Sequence, residues 1–188
     1  YQPSCQQSLN NGVCPNKNCL SPRVCRSLNI DHSEYLDILK TVSALPKIKK
    51  VFIRSGIRYD YLIYDKDDSF FRELVQNHIS GQLRVAPEHI DPKVLNLMGK
   101  PTKEVYLQFV KKFEQLNQEY KKKQFIVPYF ISSHPGSDLD SAIELALYLK
   151  EINHIPLQVQ DFYPTPSTKS TCMYYTGLNP DTMQEVFV

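Results

Sequence analysis

QFIVPYFISSHPGSDLDSAIELALYLK, residues 124–150, holds three kinds of sequence in succession. The apolar run Phe125–Ile131, interrupted by Pro128, reads as a buried-type strand and is far too short to span a bilayer. SSHPG is a polar turn. Ser137 then opens an alanine- and leucine-rich helix that runs to about Ile152. Strand, polar turn and helix in that order form the repeating unit of an α/β protein.

The same alternation extends on both sides. Residues 103–122 carry Val105, Phe109, Phe113, Leu116 and Tyr120 at helical spacing. GQLRVAPEH, 81–89, reads as a strand stopped by Pro87, because proline cannot donate to a ladder. A helix fits Ser69–Ile79, with Phe70, Leu74 and Ile79 on one side. VFIRSG, 51–56, is a short β-rich run. Asp31 and Glu34 form a capping-box pattern ahead of Tyr35, Leu36, Leu39, Val42 and Leu45. LQVQDFYP, 157–164, reads as a final strand. Alternating helices and strands imply an α/β fold with mainly parallel strands and right-handed crossovers. A doubly wound sheet and a piece of a barrel fit equally well at this level, and both place ligands at the carboxyl ends of strands.

Those ends read RSGIRYD, APEH, SSHPG and DFYPTP. They supply Arg54, Ser55, Arg58, Asp60, Glu88, His89, Ser132, Ser133, His134, Asp161 and Tyr163, expected to converge on one rim. Four polar strand ends in succession favour a site over ordinary loop polarity. Adjacent residues of a strand face opposite ways, so Glu88 and His89 do not share one pocket, and Glu88 is preferred. His134 fits a base or ligand as well as a backbone-bonded turn residue. Arg54 and Arg58 fit bidentate carboxylate binding, with surface ion pairs as the plain alternative. Tyr59, Tyr61 and Tyr64 read as a packed aromatic edge, and Cys172 as a plain buried thiol.

Bulk properties bound the rest. At 188 residues, 41% hydrophobic and 22% charged, the chain fits one soluble globular domain of ordinary size. A net charge of +2 is too small to imply a polyanion partner. Lys111, Lys112 and Lys121 to Lys123 read as the solvated face of the long helix, so nucleic-acid binding has only weak support. No GxGxxG, GK[ST] loop, HExxH or GxSxG occurs. No basic-then-apolar leader opens the sequence, and a first residue of tyrosine suggests a processed or excised piece. The expected location is cytoplasmic, with no membrane partner.

Residues 1–30 differ from 31–188. They hold Pro3, Pro15, Pro22, Gly12, five asparagines and no acid, with no helical or strand period. They also hold Cys5, Cys14, Cys19 and Cys25, spaced C-x8-C-x4-C-x5-C. Nothing argues for an oxidising compartment, so a tetrathiolate metal site is favoured over disulfides as the staple of this lobe. Lys17, Arg23 and Arg26 would offset its charge. Zinc and iron–sulfur are not distinguished by the spacing.

The strings RSGIRYDYLIYD, HISGQLRVAPEH, VLNLMGKP, VPYFISSHPGSDLDSAIELALYLK and QVQDFYPTPSTKSTCMYYTGL together resemble the YgiQ family of radical-SAM proteins. CPNKNC with LNIDHSEYL is similar too, so the resemblance covers essentially the whole chain. It implies a partial (βα)6 TIM-type barrel, a [4Fe–4S] cluster held by CxxxCxxC, and S-adenosylmethionine on the fourth iron. Reductive cleavage of that ligand would give a 5′-deoxyadenosyl radical that abstracts hydrogen from substrate.

This chain has no CxxxCxxC. The expectation is therefore a fragment carrying about the last three barrel strands, inactive alone, with the cluster ligands outside it. By position in the barrel, the resemblance makes Ser55 and Arg58 candidates for the amino-acid group of S-adenosylmethionine. Glu88, Ser133 and His134 are candidates for its ribose and adenine or for an unknown substrate. The cysteine lobe would be an auxiliary zinc or iron–sulfur site. The strand at 51–54 would become an edge, favouring self-association or contact with the remainder of the parent barrel. The alternative is a non-catalytic, metal-stapled binding module, possible partner RNA.

Overall fold

The computed structural model describes residues 5, 10, 14, 19–21, 23–156 and 159–188. It is mixed α/β: a two-stranded sheet of β1 (Gln82–Glu88) and β2 (Phe125–Phe130), with seven α-helices among the described residues. The helices are α1 (Ser33–Ser43), α2 (Tyr59–Leu62), α3 (Ser69–Glu73), α4 (Pro92–Met98), α5 (Lys103–Glu119), α6 (Leu139–Glu151) and α7 (Lys169–Thr176). A π-helical turn, Leu74–His78, continues α3.

The chain divides into two compact units. The first takes Tyr1–Cys19, Arg23–Ala86 and Glu104–Pro128, the second Leu20–Pro22, Pro87–Lys103 and Tyr129–Val188.

In the first unit α5 follows its sequence pattern. Val105, Phe109, Phe113 and Leu116 are buried along one face. Phe109 is fully enclosed, with its ring stacked on Phe71 at 5.3 Å and tilted against Tyr59 at 5.7 Å. Aromatic pairs at these separations add to simple area burial. The helix expected over 69–79 is present but changes hand-over-hand spacing at Leu74. There the Gln124 side-chain amide donates to the carbonyls of Val75 at 2.9 Å and Ile79 at 3.3 Å. Those are carbonyls at the irregular helix end, supplied by a residue from the far side of the sequence. The α1 capping box does not form: Asp31 instead accepts from the Ser33 amide at 2.8 Å, and His32 occupies the N-cap with its ring turned to Asp65 rather than to the helix amides.

VFIRSG is not a strand. It runs beside β1 and makes separate backbone bonds, Ile53 N–H to His78 O at 2.9 Å and Ile57 N–H to Arg84 O at 3.0 Å. No continuous ladder develops from these bonds. The edge strand expected at 51–54 is therefore absent.

β1 and β2 run parallel, since Phe125 N–H bonds Gly81 O at 2.9 Å and Ile131 N–H bonds Glu88 O at 2.7 Å. Regular pairing from Gly81 would bring Ile131 to residue 87, not 88. β1 thus holds one extra residue, a bulge at Pro87–Glu88. Pro87 lies inside the strand rather than stopping it, and Glu88 takes the turn with φ 68°. A missing N–H at Pro87 and a left-handed Glu88 are two aspects of one local distortion.

In the second unit, LQVQDFYP contributes a single parallel bridge, Ile131 to Gln160, in place of a strand. Its residues 157 and 158 lie outside the described residues. The core gathers Ile90, Val94 and Leu95 with Phe130, Leu145, Tyr148 and Met173. Gly136 has φ 91°, and a Cβ there would lie 2.2 Å from Leu97 Cδ1, so the turn of SSHPG requires glycine. The helix after it is capped by Asp138, whose side chain accepts from the Ser141 amide, rather than by Ser137.

Candidate functional site

The expected rim residues fall in both units. In the first, Arg58 grips Asp60 of its own chain through two bonds, Nε to Oδ1 at 2.9 Å and Nη2 to Oδ2 at 2.6 Å. Asp60 is buried, while the Arg58 guanidinium lies over the Tyr61 ring, 4.6 Å from its centre. The bidentate carboxylate partner foreseen for Arg58 is thus internal. Tyr59 to Leu62 form α2, not a strand edge. Arg54 and Ser55 are exposed.

In the second unit the ends of β1 and β2 carry a connected polar cluster. Ser132 and Ser133 hydroxyls donate to Asp161 Oδ1 at 3.2 and 3.3 Å. The Phe162 amide donates to Ser133 Oγ at 2.8 Å, so the 159–163 segment is tied to the end of β2. Ser137 Oγ donates to the Ser132 carbonyl at 3.1 Å and stands 3.5 Å from His89 Nε2. Tyr163 is 78% exposed beside this cluster in sequence, leaving its ring open to a partner.

His89 is buried, and its Nδ1 accepts from the Asp91 amide at 3.0 Å. The proton of the neutral ring therefore sits on Nε2. Burial lowers the His89 pKa; a charge on nearby His134 acts the same way, and Asp91 opposes both. Glu88 pairs with Lys100 Nζ at 3.2 Å. Asp91 caps α4 through the amides of Lys93 at 2.7 Å and Val94 at 3.4 Å, with Pro92 as first helical residue. Its other oxygen accepts from the buried Ser141 hydroxyl at 2.6 Å. Burial alone would raise the Asp91 pKa, but these hydrogen bonds outweigh it and hold the carboxyl below its ordinary value.

His134 is 4% exposed. Its Nδ1 faces the Pro135 carbonyl at 2.8 Å and its Nε2 faces Ser170 Oγ at 2.8 Å. The backbone-bonded reading of this residue is met by the Pro135 contact, and the other ring nitrogen holds the Ser170 hydroxyl. Ser170, Ser141 and Asp91 escaped the sequence reading. Asp91-Pro92 was a legible helix start; the two serines carry no local signal.

The five cysteines are thiols. Cys5, Cys14, Cys19 and Cys25 are half-buried. Cys25 N–H bonds the Cys19 carbonyl at 2.8 Å, folding that part of the lobe back on itself. Among the described residues no group of three or more His, Cys, Asp or Glu side chains is placed to hold a metal ion. Cys172 is exposed, not buried as expected. Among the described residues no helix is long and apolar enough to cross a membrane.

Comparison with known proteins gives one consistent set of relatives. The chain is 60% identical over 185 residues to a UPF0313 protein of Clostridium botulinum strain 657, covering 98% of this chain and 29% of the relative. It is 57% identical over 187 residues to a UPF0313 protein of Clostridium perfringens strain 13, covering 100% of this chain and 28% of the relative. The chain thus spans less than a third of the length of the curated relatives it matches. A family model described as a domain of unknown function, DUF3362, matches residues 157–186. No solved structure matches.

Proposed function

We propose that the chain supplies later strand–helix elements of a radical-SAM barrel, and that its second unit carries a polar rim for the cofactor's sugar or the substrate. The observation that carries this reading is the meeting of Ser132, Ser133 and Asp161 at the end of β2, next to the β1 bulge. A carboxylate flanked by two exposed hydroxyls suits a vicinal diol: Asp161 accepts from the diol, and each serine either donates or accepts. The family strings and the greater length of the relatives support the same reading.

The donor set decides which expected contacts fit. Ser133 and Asp161 are exposed and able to exchange partners. Arg58 is committed to Asp60, and both His134 nitrogens are engaged within the protein. The described cysteines do not gather into a cluster site, and no step is assigned to them. When bound, S-adenosylmethionine would supply the radical; the residues of this chain would orient the ligand and fix its sugar.

The test uses the full-length protein, reconstituted anaerobically with iron and sulfide and given S-adenosylmethionine with a one-electron reductant. The expected product is 5′-deoxyadenosine, formed with a raised KM for S-adenosylmethionine in Asp161→Asn. Absence of that product from cluster-loaded protein would overturn the radical-SAM reading. An unchanged KM in Asp161→Asn would remove the rim from it.

A further inference from the structure

We propose that Ser170 and His134 form a nucleophile–base pair that reacts with acyl esters. Neither residue needs an iron–sulfur centre for this, so the inference is independent of the function proposed above.

The geometry fixes the direction of both hydrogen bonds. A carbonyl oxygen only accepts, so the 2.8 Å contact with Pro135 O places a proton on His134 Nδ1. Nε2 of the neutral ring then presents its lone pair, and Ser170 Oγ at 2.8 Å donates to it. A hydroxyl bonded to an imidazole nitrogen, with the opposite nitrogen oriented by a third group, is the arrangement that activates serine. Here the orienting group is the main chain of the HPG turn, whose Gly136 takes φ 91° close beside Leu97.

Exposure is divided as such a pair requires. His134 is buried, with its ring edge-on to Phe162 at 5.2 Å, while Ser170 is half-buried. The base is withdrawn from bulk water, while the residue that carries the hydroxyl keeps part of its surface exposed. Burial lowers the His134 pKa, and its bond to Pro135 only partly opposes this. The ring is a neutral base at neutral pH. Ser170 is the second residue of α7, where backbone N–H groups have no intrahelical acceptor. The amides of Thr171 and Cys172 are taken up by Thr168.

In the reaction Ser170 Oγ bonds to the ester carbonyl carbon as its proton passes to His134 Nε2. The carbon–alkoxide bond breaks, and His134 returns the proton to the leaving alcohol. Water then attacks the acyl-serine with His134 again as base, releasing the acid and restoring both residues.

A fluorophosphonate probe tests the pair in the full chain, with the modified peptide identified by mass spectrometry. Labelling is expected on Ser170, with loss of fluoride, and is expected to vanish in Ser170→Ala. In His134→Gln it should slow about a hundredfold or more. The wild-type rate should fall as pH drops through the histidine titration below 6.5. A serine that only anchors the ring would show none of this. No label at Ser170, or an equal rate in His134→Gln, overturns the proposal. Should that variant unfold, Ser170→Cys decides: alkylation by iodoacetamide at pH 7 is expected to be faster at position 170 than at Cys172, and an equal or slower rate overturns the pairing.

Discussion

Ser141 Oγ lies 2.6 Å from Asp91 Oδ2, joining the start of α6 to the start of α4 across 50 residues of sequence. Both residues are buried. The Asp138 carboxylate is also 3.0 Å from the same hydroxyl, and the single proton favours the shorter contact. Two helix starts are therefore fastened to each other by one hydroxyl.

Removing that hydroxyl leaves a buried carboxylate oxygen with no donor. Ser141→Ala is expected to destabilise the second unit by about 1–3 kcal/mol. Asp91→Ala removes the α4 cap as well and should cost about 1 kcal/mol more. Hydrogen exchange at the amides of Val94 and Leu95 measures both. Protection as strong in Ser141→Ala as in the wild type would mean that the contact contributes nothing.

Acid should weaken the second unit in two stages. Burial holds the pKa of His89 and of His134 below the ordinary imidazole value of 6.5. The unfolded chain then takes up protons first as pH falls. The stability from the neutral rings is complete above 6.5 and is lost as pH drops through their folded-state values. The slope reaches at most about 1.4 kcal/mol per pH unit for each histidine. Asp91 acts lower: its depressed pKa gives stability present above 3.8 and lost as pH falls through the folded value. Denaturant midpoints measured from pH 8 to pH 3 check this order. A flat profile between pH 7 and pH 5 in the wild type would contradict the histidine stage.

The bulge makes a prediction about residue type. Glu88 stands at φ 68°, where a side chain costs about 1–2 kcal/mol relative to glycine. Glu88→Gly relieves that strain but loses the partly exposed Lys100 pair and gains unfolded-state freedom, so it should be near neutral. Glu88→Val should be less stable than Glu88→Gly by about 1–2 kcal/mol, because β-branching is least tolerated there. Urea denaturation of the two variants compares them directly. Equal stabilities would show that the backbone of the variants escapes the left-handed region.

What could be read in advance followed from local periodicity. α5 was legible because apolar residues repeat at helical spacing; four of the five expected are buried, while Tyr120 lies past the helix end at Glu119 and is half-buried. β2 was legible as an apolar run before a polar turn, and β1 as an alternating stretch ending near Pro87. VFIRSG has the same composition as a strand, yet strand identity depends on a neighbour to pair with, which composition does not encode. The π-turn at Leu74 depends on Gln124, 45–49 residues from the carbonyls it supplies. The polar rim residues stood out at strand ends. Their partners did not: Ser170 lies 36 residues from His134, and only folding makes it the hydroxyl on that ring. The short helices α2, α4 and α7 fell below the length at which a 3.6-residue period is visible.

The extra residue at Pro87–Glu88 shifts the pairing with β2 without changing which residues of β1 face inward. Up to Val85 the alternation of β1 serves the core, with Leu83 and Val85 inward. Past the bulge the same alternation continues, and His89 and Asp91 keep the inward phase but build polar contacts instead. A single-residue deletion at this point would restore an unbroken ladder and at the same time put every downstream polar group out of step. Residue number in this strand is therefore as strongly constrained as residue identity.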